Sequence, residues 1–188
     1  MEPADLSKGD LILVNKFYYL DKDYVPEDMV IIESKYGVSQ YLKKDVYNAY
    51  INMWNDAKAN GLTLYINSPY RSYNTQYGLY HNYGKRDGYN LADTYSARPG
   101  YSEHQTGLAF DVTSLSTNFD TFGYSNEYNW LQEHAAEYGF ILRYPKGKEY
   151  ITGYQYESWH YRYVGVEAAK YIKENNLTFE EYYAYFVK

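Results

Sequence analysis

Two short stretches of strict alternation, GLAFDVT at residues 107–113 and SWHYRYV at 158–164, constrain this chain most. Successive side chains on a strand point to opposite faces. The first stretch sets Leu108, Phe110 and Val112 on one face and Ala109, Asp111 and Thr113 on the other, while the second groups His160, Arg162 and Val164. LTLYINS (62–68) and FILRY (140–144) are also short, β-rich runs. Helix signals separate these strands without a regular βαβ alternation. The pattern predicts an α+β fold, a small antiparallel sheet flanked by helices, in which ligands on different strands meet across the sheet.

From Ser39 to Ala59, Leu42, Val46, Tyr50, Ile51, Trp54 and Ala57 recur mostly at helical steps, and Gly61 follows as a stop. A second helix is expected from about Asn74 to Tyr83. A third starts behind Ser125 and carries Trp130, Leu131, His134, Ala135 and Tyr138 up to Gly139. VEAAKYIKEN reads as helical, and Thr178 with Glu181 forms a capping box for a short terminal helix. Residues 1–38 read as an irregular strap with Pro26 in an extended or turning segment. Residues 84–103, which contain Gly84, Gly88, Pro99 and Gly100, read as a long loop, and Lys146–Gly147–Lys148 as a turn. A loop of that length in a compact domain is more often functional than idle. No repeat or linker divides the chain, so one domain is expected over 1–188, with the strap at 1–38 and the core at 39–188.

A net charge of -6 with no block of Lys or Arg argues against nucleic acid as a partner. No apolar run approaches the roughly 18 residues of a membrane span. The start, MEPADLSKGD, has neither the basic nor the apolar region of a signal peptide. Cysteine is absent, so a metal must be held by His, Asp or Glu, and only His81, His104, His134 and His160 are available as imidazoles. The 29 tyrosines are read as fillers of half-buried positions.

SEHQTGLAFDV places His104 and Asp111 seven residues apart, an odd spacing that faces both toward one ion only if the chain turns between them. Gly107 stands where that turn is needed. In YESWHYRYV, Glu157 precedes His160 by three. A catalytic zinc site needs three protein ligands, an open position and a nearby carboxylate that serves as a base. His104, Asp111, His160 and Glu157 supply that inventory. His81 and His134 fall on expected helices and read as surface or packing residues, and the strand parity of Trp159 makes it a core anchor.

The segments SPYRSYNTQ, RPGYSEHQTGLAFDV, FILRYPKGKEYITG and YESWHYRYVG resemble the VanY-type D,D-carboxypeptidases and related L,D-carboxypeptidases of bacterial cell walls. That zinc superfamily also includes lysostaphin-like endopeptidases and the hedgehog signalling domain. The resemblance runs from about Leu13 to near the C-terminus. It implies a hedgehog/D,D-peptidase-like zinc fold with one Zn2+ on His104, Asp111 and His160, and with Glu157 as the base. It also implies Arg71 in the site, on the oxyanion or on a terminal carboxylate, and Gln76, Ser102 and Tyr144 as substrate contacts.

The implied activity is removal of a C-terminal D-alanine from peptidoglycan stem peptides, with D,D and L,D cuts both open. The alternatives are a zinc-containing cell-wall-binding module without catalysis, or an endopeptidase or D,D-dipeptidase of the same fold. The resemblance also implies a monomer that acts on the stem peptide without membrane contact of its own. Its expected location is extracytoplasmic, in a Gram-positive envelope, with an export signal or anchor outside the given chain. A cytoplasmic enzyme acting on soluble precursors is the other possibility.

Overall fold

The computed structural model describes residues 1–33, 35 and 37–188. The chain opens with β1 (Glu2–Pro3), paired in parallel with β2 (Tyr18–Tyr19). It then forms an antiparallel hairpin of β3 (Met29–Glu33) and β4 (Ser39–Lys43). The strap expected over 1–38 is therefore not wholly irregular, and its Ser34 and Tyr36 lie outside the described residues. Ile12, Val14, Leu20 and Ile32 from this part of the chain are buried in the main core.

Helix α1 (Lys44–Ala59) begins five residues later than the apolar spacing predicts, because residues 39–43 are taken up by the hairpin. Its inner face, Val46, Tyr50, Met53 and Ala57, is buried. After β5 (Tyr65–Ser68), α2 (Tyr73–Asp87) starts at Ser72, whose hydroxyl accepts from the Thr75 amide. The long loop expected at 84–103 is mostly helical. Helix α2 runs on to Asp87, α3 (Tyr89–Tyr95) follows, and a 3-10 turn covers Glu103–Thr106. Gly84 permits this packing, since a Cβ there would stand 2.3 Å from the Tyr89 ring.

Next come β6 (Ala109–Thr113), a short α4 (Phe119–Phe122) and α5 (Asn126–His134), capped by the Ser125 hydroxyl. A 3-10 turn then ends at Gly139, and β7 (Phe140–Tyr144) follows. A short α6 (Glu149–Thr152) extends the turn expected at 146–148 and leads to β8 (Glu157–Tyr163). Helices α7 (Val166–Glu174) and α8 (Phe179–Phe186) close the fold, with Thr178 and Glu181 forming the capping box at the start of α8.

The central sheet has the order β5-β6-β8-β7 and is antiparallel throughout, so the fold is α+β as the alternation predicts. One face carries Leu108, Phe110, Val112 and Tyr161 into a core shared with α1 and with Leu131 and Ala135. Phe110 meets Tyr50 edge-on at 5.4 Å and Phe140 at 5.2 Å, pairs worth about 0.5–1.5 kcal/mol each beyond their buried area. A second core joins Ile141 and Val164 to Ala169 and Ile172 of α7 and to Phe179 of α8. All five residues of β6 are buried, so its polar face is covered as well. Among the described residues, no helix is long and apolar enough to cross a membrane.

Candidate active site

The register of the sheet decides the geometry. Asp111 on β6 stands directly opposite His160 on β8. His104 comes from the 3-10 turn before β6, and Gly107 ends that turn in the left-handed region at φ 68°. This is the reversal that the spacing of seven requires, and a side chain there would also crowd Lys43 and Pro26. His104 Nε2 lies 3.5 Å from Asp111 Oδ2, and His160 Nδ1 lies 3.3 Å from Asp111 Oδ1. The two imidazoles meet edge to face with ring centroids 4.9 Å apart.

These three buried residues offer ligand atoms within 4.8 Å of one another. Zinc bonds of about 2.0–2.1 Å in a tetrahedron set donors roughly 3.4 Å apart, which matches both contacts to Asp111. Asp111 Oδ1 is buried with no hydrogen-bond partner, a costly condition unless a cation offsets it. Two imidazoles and a carboxylate with no thiolate form a donor set that suits zinc. His104 Nδ1 donates to the Pro69 carbonyl at 2.7 Å, which leaves Nε2 with a free lone pair toward Asp111.

Glu157 Oε2 lies 3.5 Å from His160 Nδ1, at the start of β8. Burial pushes Glu157 up to about 8, and the charge of Asp111 adds to the shift against the pull of His160 and Arg71. Burial opposes the charge on His160, but the carboxylates of Asp111 and Glu103 beside it raise it to about 9. His104 is lowered by burial and by Arg71. Burial works to raise Asp111 too, yet the two histidines hold it well below the usual carboxylate range.

Arg71 reaches the same place from the turn between β5 and α2. Its Nη2 is 3.7 Å from Asp111 Oδ2, and its amide donates to the His104 carbonyl at 3.1 Å. Gln76 accepts from Arg71 Nη1 at 2.8 Å and donates to the Ala97 carbonyl at 2.7 Å, so both its polar ends are engaged within the protein. Ser102 and Tyr144 line the cleft, and the Tyr144 ring lies 4.9 Å from that of His160. The eight residues that the sequence assigns to the site thus border one cavity of about 590 Å³.

Some residues of this cleft were not anticipated. Trp159 packs on the core edge as expected but also lines the cleft, with Phe119 5.1 Å away. Tyr83, Arg86 and Tyr95 from α2 and α3 line it as well. Glu103 is buried behind His160 at 1% exposure, between Arg143 and Arg162. The signal that could have found it was present: two arginines on strands expected to be buried require a carboxylate partner.

A family model described as VanY, D-alanyl-D-alanine carboxypeptidase, matches residues 39–166. A D-alanyl-D-alanine carboxypeptidase of Enterococcus faecium is 37% identical over 188 residues, covering 95% of this chain and 58% of that protein. The chain thus spans just over half the length of that relative. The solved structure of the LdcB LD-carboxypeptidase, described for its peptidoglycan recognition, superimposes with a TM-score of 0.87 at 43% identity, covering 94% of this chain and 86% of that one. The vancomycin-resistance D,D-pentapeptidase VanY, solved with Zn(II), gives a TM-score of 0.79 at 33% identity over 92% of this chain and 98% of that one.

Proposed function

The chain belongs to the VanY family of D-alanyl-D-alanine carboxypeptidases, and from that premise we propose that it removes the C-terminal D-alanine of peptidoglycan stem peptides, with one zinc ion held by His104, Asp111 and His160. The observation that carries this reading is the convergence of three buried ligand atoms, one adjoining carboxyl group and one guanidinium in a single cleft.

When bound, zinc supplies Lewis acidity toward a water molecule and a carbonyl oxygen. Glu157 accepts a proton from the attacking water as the hydroxyl joins the scissile carbonyl carbon. When the C–N bond breaks, Glu157 returns that proton to the leaving amine, and free D-alanine and the shortened peptide result. A buried carboxylate at the start of β8, 3.5 Å from a ligand nitrogen of His160, is placed to take that proton and to give it back. Arg71, aligned by Gln76, faces the negative charge that develops on the carbonyl oxygen. Ser102 and Tyr144 contact the peptide from the cleft wall.

The L,D cut, from tetrapeptide to tripeptide, is favoured by the 43% identity to LdcB against 33% to the D,D-pentapeptidase. Peptidoglycan matures outside the cytoplasmic membrane, so the site of action is extracytoplasmic, in a Gram-positive envelope. The working unit is a monomer; sedimentation as a dimer would contradict that.

Zinc-loaded protein incubated with muramyl tetrapeptide and pentapeptide, with the products weighed, tests the reading. Loss of one alanine from the tetrapeptide is expected. Loss from the pentapeptide alone overturns the L,D cut, and loss from neither, with zinc bound, favours a binding module.

A further inference from the structure

Glu103 has no part in the reaction outlined above, yet it sits one layer behind it. Its Oε1 accepts from Arg143 Nε at 2.7 Å and from Arg162 Nη1 at 2.9 Å. Its Oε2 has no hydrogen-bond partner and points at His160 Nε2, 3.4 Å away, which is itself buried and unpartnered. The other nitrogen of that ring, Nδ1, faces Asp111 and Glu157 in the cleft. We infer that Glu103 is a positioning residue, which accepts the Nε2 proton of His160 and thereby reserves Nδ1, with its lone pair, for the metal.

The chemistry leaves one consistent arrangement. A carboxylate between two guanidinium groups is an acceptor only, so the imidazole nitrogen facing it must carry the hydrogen. An imidazole that binds a metal is neutral and has one N–H, so Nδ1 keeps its lone pair for the ion. The carboxylate cannot rotate away, because its other oxygen is claimed twice.

The clamp is anchored far from the cleft. Arg143 also donates to both carboxyl oxygens of Glu180 in the first turn of α8, at 2.9 and 2.6 Å. Arg162 Nη2 donates to the carbonyls of Asp10 and Ile12, at 2.9 and 2.7 Å. The start and the end of the chain, both outside the 39–166 match, therefore hold the orientation of His160 through Glu103.

This inference rests on the zinc reading, and the test separates the two. Zinc affinity is measured by competition with a chromophoric chelator for the wild type, His104→Ala and Glu103→Gln. In Glu103→Gln the arginines claim the amide oxygen and the NH2 group faces His160, which favours the wrong tautomer. The expected result is zinc binding weakened about 10- to 100-fold in Glu103→Gln with the fold retained. Equal binding by the wild type and His104→Ala would overturn the zinc site itself. Binding lost in His104→Ala but unchanged in Glu103→Gln would overturn only the role of Glu103. A second measurement needs no variant: in the zinc-loaded wild type, long-range proton–nitrogen spectra should place the His160 hydrogen on Nε2, protected from exchange. A hydrogen on Nδ1 overturns the inference.

Discussion

Glu103, Arg143, Arg162 and Glu180 form one buried polar cluster, and His104, Asp111, His160 and Glu157 form another directly beside it. In the first, two cations meet two anions through hydrogen bonds of 2.6–2.9 Å. In the second, the contacts stand at 3.3–3.5 Å. Each cluster holds one carboxylate oxygen buried without a partner, Glu103 Oε2 and Asp111 Oδ1, and both face His160. Both clusters are desolvated, so both carry the cost of buried charge. The first offsets it with its own arginines. The second has its donors spaced for an ion between them, which is the difference between a polar group used for structure and one held ready for chemistry.

The comparison can be broken from either side. The largest expected effect is on turnover: Glu157→Ala should lower it about 10²- to 10⁴-fold while zinc stays bound, and unchanged turnover would remove Glu157 as the base. On the paired side, Arg143→Met leaves Glu180 without its guanidinium partner and Glu103 with Arg162 alone. It should cost about 3–5 kcal/mol, read as a drop in Tm of roughly 6–20 °C. A Tm within about 2 °C of wild type would show that the first cluster does not carry stability.

Removing the ion probes the second cluster without a mutation. With free zinc at about 100 times its Kd, chelation should cost about 2.7 kcal/mol and lower Tm by roughly 5–10 °C. A thermal scan unmoved by chelator would mean that no ion holds these residues together. The smallest effect concerns Arg71. Gln76→Ala removes a charge-assisted hydrogen bond and should reduce kcat/KM about 10-fold. Unaltered kinetics would mean that the Asp111 contact alone suffices to align the guanidinium.

Much of the fold was legible because alternation and capping are local. The strands at 109–113, 140–144 and 157–163 and the helix behind Ser125 lie where short-range patterns put them. The errors share one cause, a partner distant in sequence. Ser39–Lys43 fits a helical spacing but pairs with Met29–Glu33, which no window along α1 can see. Residues 84–95 carry two glycines that read as loop, whereas Gly84 only makes room for the Tyr89 ring inside a helical pair. The site was read further than the fold, since scarcity of ligands left few combinations. Glu103 escaped because its partners, Arg143 and Arg162, come from strands 40 and 59 residues away.

By itself, the sequence determined the kind of donor available, the strand parity of Asp111 and His160, and the need for a turn at Gly107. These follow from side-chain chemistry and from backbone periodicity. Only the tertiary structure decided that Asp111 faces His160 across β6 and β8, that His104 presents Nε2 and His160 presents Nδ1, and that Glu103 stands behind them. Register and ring orientation depend on contacts between residues far apart along the chain.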